Sequence, residues 1–194
     1  MEAKEVVHML EEVGAVRRGH FELSSGRHSD MYVQCAMVLQ YPKFAEQLGA
    51  ALAEKFHDMK VEAVVSPAMG GLIIGQEVAR ALGVRAMFVE RDKSGQMALR
   101  RGFELKHGEH ILVIEDVWTT GGSTRETIGV LEELGGVVIA VGAIIDRSAG
   151  RAEWNVPARS LVEMNAWSYE GAECPQCLRG GVAMKPGSRF GRGA

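Results

Sequence analysis

The stretch Ile111-Leu-Val-Ile-Glu-Asp-Val-Trp-Thr-Thr-Gly-Gly-Ser-Thr124 constrains this chain more than any other. Its four leading aliphatic residues read as a strand buried on both faces, which belongs in a parallel sheet covered by helices. The run ends in an acidic pair, Glu115 and Asp116. A hydroxyl- and glycine-rich turn, Thr119, Thr120, Gly121, Gly122, Ser123 and Thr124, then opens straight into the helical pattern of residues 125–134. A buried strand feeding such a turn and a helix N-terminus is a phosphate-binding device. Backbone N–H groups converge there, the helix dipole favours an anion, and Gly121 and Gly122 present no side chain to obstruct it. The two carboxylates just upstream sit where a sugar's hydroxyls or a bound Mg²⁺ would be held. Phosphate on one side and hydroxyls on the other describe a ribose 5-phosphate site. Ser123, with Glu126 three residues on, reads as the N-cap of a capping box. No Lys follows the glycines and their spacing is wrong for a dinucleotide loop, so two commoner phosphate motifs are excluded.

The rest of the chain supplies the layers such a strand needs. Val6, Leu10 and Val13 mark the apolar face of an N-terminal helix ending near Gly14. Residues 20–38 are extended and turn-rich. Phe44, Leu48, Leu52 and Phe56 recur at helical spacing. Residues 63–66 form a short buried strand, broken by Pro67-Ala-Met-Gly-Gly71 and followed by a helix over 72–82 that Gly83 stops. Residues 85–90 and 137–145 are further strands, the second stopped by Asp146-Arg147. Residues 97–105 alternate loosely and suit a hairpin arm, approached through a flexible 92–96. Strands alternating with helices predict an α/β fold with a central, mostly parallel sheet and helices on both faces. Ligands of such sheets lie beyond the carboxyl ends of the strands. The segment 66–71 repeats the strand–loop–helix logic of the first motif. Two anion loops on one sheet suit a substrate with phosphate at one end and diphosphate at the other.

Composition narrows the remaining classes. A chain of 194 residues with 46% apolar content suits one α/β domain with appendages. A net charge of −3 offers no footprint for nucleic acid or an anionic membrane. No apolar run spans a bilayer and the charged N-terminus is no signal peptide, so a cytoplasmic protein is expected. Cys35, Cys174 and Cys177 make no disulfide framework. The Cys174-x-x-Cys177 pair lacks two of the four ligands a structural zinc needs, which leaves an ordinary loop, a redox-active pair or a zinc site shared between subunits. Trp154, Trp167 and Tyr169 read as packing residues. The stretch from Gly180 onward, rich in Gly, Arg and Lys, reads as a poorly ordered tail.

The motif at residues 111–124 resembles the binding signature of the type I phosphoribosyltransferases, whose donor is 5-phosphoribosyl 1-diphosphate (PRPP). In that family a loop after an early strand binds the diphosphate, often through a strained or cis peptide, and Ala68, Met69, Gly70 and Gly71 match it in place and composition. Two further matches narrow the family. Phe21-Glu-Leu-Ser-Ser-Gly-Arg-His-Ser-Asp-Met-Tyr32 resembles the segment that forms a hood over the nucleobase in orotate phosphoribosyltransferases. Ile145-Asp-Arg-Ser148 resembles the step whose arginine faces orotate. Arginine is chemically apt, because a guanidinium grips a carboxylate bidentately. Four matches occur in order between Gly14 and Ser148.

The resemblance implies the reaction orotate + PRPP ⇌ orotidine 5′-monophosphate + diphosphate, a step of pyrimidine biosynthesis. Asp116 and Glu115 would hold the ribose hydroxyls, and Thr119–Thr124 the 5′-phosphate. Arg91 and Lys93, with Arg100 or Arg101, would neutralise the leaving diphosphate. Arg147, Thr120, Ser24 and Tyr32 would contact orotate. Mg²⁺ is the implied cofactor, held mainly by PRPP and water rather than by direct protein ligands. One phosphoribosyltransferase domain over residues 1–178 is expected, with the hood mainly in 14–40, the PRPP-binding core in about 43–165 and the tail in 179–194. The family also implies a homodimer that shares an active-site loop.

Two places depart from the family pattern. The hood lysine common in the family is replaced by Ser24. The segment 90–102 is shorter than the usual mobile loop and has no histidine; His107 and His110 lie beyond it and read as solvated turn residues. A phosphoribosyltransferase for another base would need neither the hood nor Arg147, and a non-catalytic nucleotide-sensing RNA binder of the same fold should show a basic face.

Overall fold

The structure, a computed structural model, describes residues 1–23, 26–164 and 167–186. Ser24 of the expected orotate set lies outside the described residues, as does the end of the expected tail, 187–194.

The central sheet has six strands: β3 (Ala63–Pro67), β4 (Arg85–Arg91), β5 (Met97–Leu99), β6 (His110–Trp118), β7 (Val137–Asp146) and β8 (Ala158–Glu163). Their spatial order is β5-β4-β3-β6-β7-β8, and every pair is parallel except the β4–β5 hairpin. β3 is buried at all five positions, and β6 is buried from Ile111 to Glu115. That is why these strands read as continuous apolar runs rather than alternating ones.

Side chains of alternate residues divide between two cores. Val64, Leu112, Ile114, Ala140 and Ile144 face one cluster, where α1 (Ala3–Glu12) contributes Val6 and Leu10, α3 (Pro42–Glu54) contributes Leu48 and Leu52, and α4 (Gly71–Leu82) contributes Ile74 and Val78. Val65, Ile111, Val113, Val141 and Ala143 face the other, covered by Leu131 of α5 (Gly122–Glu133). Burying each of the valine, leucine and isoleucine side chains contributes about 1.5–3 kcal/mol, so the sheet and its flanking helices stabilise one another.

Local signals place the ends of the helices. Pro42 occupies the first turn of α3, and Gly83 closes α4 in the left-handed region with φ 70°. Phe56 lies beyond the end of α3 yet is fully buried, since its ring packs under β7.

Residues 20–38, read as extended and turn-rich, are more regular than that. β1 (Val16–Glu22) and β2 (His28–Val33) form an antiparallel hairpin, and α2 (Ala36–Leu39) follows. A two-residue strand, β9 (Ser168–Tyr169), adds to β2, giving a separate sheet of order β1-β2-β9. The chain then runs through a 3₁₀ turn (Gly171–Glu173) into the short α6 (Pro175–Leu178). Residues expected in the tail are engaged here. Met184 bridges Phe21, its carbonyl accepting from Glu22 N–H at 2.8 Å, and Lys185 pairs with Glu22. Backbone pairing with the edge of β1 supplies the order that composition alone does not encode. No helix among the described residues is long and apolar enough to cross a membrane.

Candidate active site

Two loops meet at the carboxyl ends of β3 and β6. The loop after β3 contains a cis Ala68–Met69 peptide, at the position the diphosphate-loop resemblance implies. Met69 is 80% exposed, so the loop's outer face is open. Its inner face is occupied by the acidic pair. A Cβ on Gly70 would lie 2.7 and 2.8 Å from the two carboxylate oxygens of Asp116. A Cβ on Gly71 would lie 2.9 Å from Ile114 O and 3.4 Å from Glu115 Oε1. Glycine at both positions is what lets the loop close onto the carboxylates.

Those carboxylates occupy an unusual electrostatic position. Burial pushes the Glu115 carboxyl well above the ordinary range, with the adjacent Asp116 adding to the rise. Burial likewise raises Asp116, although Val117 N–H donates to its Oδ1 at 2.8 Å. Two acidic groups side by side at the mouth of a strand favour a partner that donates hydrogen bonds or carries positive charge.

The helix beyond begins two residues earlier than Ser123 suggests. Gly121 is the N-cap, in the left-handed region at φ 74°, and no side chain caps the helix. Glu126 does not fold back as a capping-box residue; it pairs with Arg91 at 2.8 Å. The reason is packing. Gly121 is pressed against Trp154, whose Cη2 would sit 2.6 Å from a Cβ there, and Trp154 in turn packs on Trp118 with ring centroids 4.9 Å apart. The first N–H groups of a helix have no intrahelical acceptor, and without a side-chain cap they are directed at the turn, as an anion site requires. Thr124 Oγ1 is buried with no partner at this same end, and Thr119 and Thr120 are exposed beside it.

Arg147 arrives by strand register. β6 and β7 run in parallel until Trp118 pairs with Asp146, and Arg147 N–H then donates to Trp118 O at 2.8 Å. The guanidinium is half-buried beneath the hood hairpin and donates through Nη2 to Met31 O at 3.1 Å, while Nε is buried with no partner. Burial lowers its pKa, with Asp30 and the Cys35 thiol acting in the opposite direction. The Cys35 thiol lies 4.0 Å from Asp116 O, so Arg147, the hood and the acidic pair share one region. Asp30, whose Oδ1 is also buried without a partner, belongs to this group and carried no signal in the sequence.

Other expected residues are placed differently. Arg91 ends β4 and Lys93 lies within the β4–β5 turn, but Arg91 is held by Gly95 O and Glu126. The turn is tight rather than loose, because Asp92 Oδ1 accepts from Ser94 N–H at 2.7 Å and Gln96 N–H at 3.1 Å. Arg100 and Arg101 both pair with Glu90 and are engaged there rather than with the two loops. Tyr32 donates its hydroxyl to Gln34 at 2.7 Å and stacks beside Phe21 with centroids 5.9 Å apart. Trp167, read as a packing residue, is 70% exposed, and His110 begins strand β6 instead of a turn. Cys174 and Cys177 do not form an ordinary loop: His20 and His28 complete a cluster with them.

A parallel sheet with an acidic strand end between two glycine loops that open helices points to one class, the phosphoribosyltransferases, and the phosphoribosyl transferase domain family matches residues 34–176. The chain is 49% identical over 189 residues to the orotate phosphoribosyltransferase of Caldanaerobacter subterraneus subsp. tengcongensis, covering 97% of this chain and 99% of that one. Among solved structures, Mycobacterium tuberculosis H37Rv orotate phosphoribosyltransferase in complex with Fe(III) dicitrate superposes with a TM-score of 0.71 at 26% identity, covering 84% of this chain and 96% of that one. The same enzyme in complex with PRPP superposes with a TM-score of 0.67 at 25% identity, covering 83% and 95%. This chain belongs to the orotate phosphoribosyltransferases, transferases of pyrimidine biosynthesis.

Proposed function

We propose that this chain transfers the 5-phosphoribosyl group of PRPP to N1 of orotate at the cleft between the two loops, giving orotidine 5′-monophosphate and diphosphate. The observation that carries this reading is the contact of Gly70 with the Asp116 carboxylate. It joins a diphosphate loop and a ribose-binding strand end at one point. Thr119–Thr124 binds the 5′-phosphate through the uncapped start of α5, and Ala68–Gly71 binds the diphosphate. Asp116 and Glu115 accept the ribose hydroxyls. Arg147 offers its spare donors to the orotate carboxylate, with Thr120 and Tyr32 bordering the base.

In this reaction N1 of orotate attacks the anomeric carbon as diphosphate departs, through a transition state with oxocarbenium character like that of other glycosyl transfers. The protein is asked for position and charge rather than covalent chemistry. Asp116 lies beside the ribose carbon that becomes electron-poor, and positive charge developing there favours its ionised form. Arg91, on exchanging Glu126 for the diphosphate, and Lys93 offset the charge of the leaving group. The hood hairpin over Arg147 excludes water from the base. The clustered carboxylate oxygens at Gly70 suit a hard cation such as Mg²⁺, held mainly by PRPP and water with Asp116 and Glu115 beside it, where it would neutralise the diphosphate. A homodimer in which the β4–β5 turn carries Lys93 to the neighbouring subunit's site belongs to the same reading. So does a cytoplasmic setting, with which three free cysteines accord.

The test follows absorbance in the orotate band with purified protein, orotate, PRPP and Mg²⁺. Loss that needs all three components is expected. Turnover with uracil or a purine but not orotate would keep the PRPP site and overturn the assignment of Arg147 and the hood.

A further inference from the structure

Four side chains outside this cleft converge on one point. His20 and His28 come from the two strands of the hood hairpin, and Cys174 and Cys177 from the start of α6. Their ligand atoms all lie within 4.8 Å of one another. His20 Nε2 is 3.0 Å from His28 Nδ1 and 3.3 Å from Cys174 Sγ; Cys177 Sγ is 3.3 Å from His28 Nδ1 and 3.6 Å from His20 Nε2. In a tetrahedral zinc site with Zn–N near 2.05 Å and Zn–S near 2.3 Å, donor atoms are separated by about 3.3–3.8 Å. Four of the six edges, at 3.0, 3.3, 3.3 and 3.6 Å, lie within or just below that range, and the other two are within 4.8 Å. Four donor atoms aimed at one point, more convergent than the two S–H···N hydrogen bonds that two thiols and two neutral imidazoles need, are the arrangement a tetrahedral cation takes.

The fold holds these groups in place from outside. The β1–β2 register shifts between Arg18 and Phe21, an irregularity of the kind that re-aims a side chain, and His20 falls within it. β9 pairs Tyr169 with His28, which brings the cysteine segment alongside the hairpin. Gly171 backs onto the His28 ring and Gly181 onto the His20 ring. Backbone N–H groups of Gln176 and Cys177 point at Cys174 Sγ, and Cys174 is 3% exposed. Two thiolates, two neutral imidazoles and a divalent ion sum to zero charge, so burial of the filled site carries little Born cost.

We propose that His20, His28, Cys174 and Cys177 bind one structural zinc ion within a single chain, stapling the hood hairpin to the C-terminal segment. A tetrahedral S₂N₂ donor set selects zinc over magnesium, which prefers six oxygens. All four positions are filled by protein, so the site is structural and takes no substrate. Its consequence reaches the cleft through the hairpin: His20 and His28 bracket the loop that leads to Asp30 and Met31, where Arg147 docks. Metal loss therefore loosens the hood before it disturbs the two PRPP loops on the main sheet.

Metal content of the full-length protein, purified without chelator from zinc-supplemented medium, tests this directly by elemental analysis. About one zinc per chain is expected in the wild type, falling at least fivefold in both Cys177→Ser and His28→Ala. Tm should fall by about 5–15 °C when a chelator strips the wild type and recover on adding zinc. Cobalt substitution should produce the visible bands of a tetrahedral ion together with thiolate-to-metal charge transfer. Less than a tenth of an equivalent of metal in the wild type after zinc loading would overturn the proposal. Zinc fully retained in both variants would overturn it as well, as would a Cys174–Cys177 disulfide in protein purified under reducing conditions. These readouts do not involve orotate, so failure of the assigned base specificity would leave them unchanged.

Discussion

Replacing Gly70 with alanine isolates the contact on which the proposed site depends. Gly70 has φ −58° and ψ −43°, ordinary helical values, so alanine meets no backbone penalty. The added methyl carbon would lie 2.7–2.9 Å from Asp116 Oδ1, Oδ2 and Cγ. Ordinary contact is nearer 3.4 Å, so the carboxylate must retreat by about 0.6 Å or the loop must lift by the same amount. Asp116 is anchored by Val117 N–H and bordered by Glu115, which limits its retreat. A misplacement approaching 1 Å at a reacting centre costs on the order of a hundredfold. We therefore expect kcat/KM for PRPP in Gly70→Ala to fall about ten- to a hundredfold in the orotate absorbance assay. The methyl faces a partly exposed carboxylate rather than the core, so overpacking should cost about 1 kcal/mol and Tm should fall by no more than about 4 °C. Asp116→Asn should lower turnover at least tenfold by itself. Adding Gly70→Ala to that variant should cost much less than it does alone, because both changes act on the same carboxylate. A Gly70→Ala enzyme within twofold of wild type, or full additivity in the double variant, would refute the placement of Asp116 at the reacting sugar.

Other perturbations read separate parts of the structure. Arg147→Ala should weaken orotate binding about ten- to a hundredfold in calorimetry while leaving PRPP affinity nearly unchanged, as loss of a charge-assisted hydrogen bond implies; equal loss for both ligands would make Arg147 structural. Because burial raises the Glu115 carboxyl above its usual 4.5, the native state holds that proton to a higher pH than the unfolded chain does. Its contribution to stability therefore declines as pH rises from 4.5 through the folded value. Glu115→Gln should thus gain Tm relative to wild type as pH rises above 4.5, and a difference that stays flat with pH would contradict the burial argument. Gly121→Ala combines a left-handed backbone with a 2.6 Å contact to Trp154. A loss of about 2–4 kcal/mol, read as a Tm fall of roughly 5–15 °C, is expected, and a change under about 2 °C would show that Trp154 yields easily.

The class of fold and the position of the two glycine loops follow from local sequence, because both are written in short-range terms. A short aliphatic run bounded by turn residues reads as a doubly covered strand, and a Thr-Thr-Gly-Gly turn before a helix directs its backbone N–H groups outward without help from distant segments. The start of α5 was misread for the same reason. Ser123 and Glu126 satisfy a local capping rule, but Trp154, about thirty residues away in sequence, presses on Gly121 and places the cap there, while Arg91 from another strand claims Glu126. Pairings between distant segments decided the rest. β8 and β9 were invisible as strands, since β9 has only two residues and exists through its partner β2. The tail beyond Gly180 is compositionally loose, yet Met184 is ordered by the edge of β1. The cysteine pair shows the limit most clearly. His20 and His28 lie about 150 residues before Cys174 and Cys177, and no local pattern links the two pairs. Sequence alone established which chemical groups this chain carries and how the central strand and its loops are built. Only the tertiary structure decided which groups meet, because their meeting depends on strand pairing and packing between segments that have no preference for one another until the core has formed.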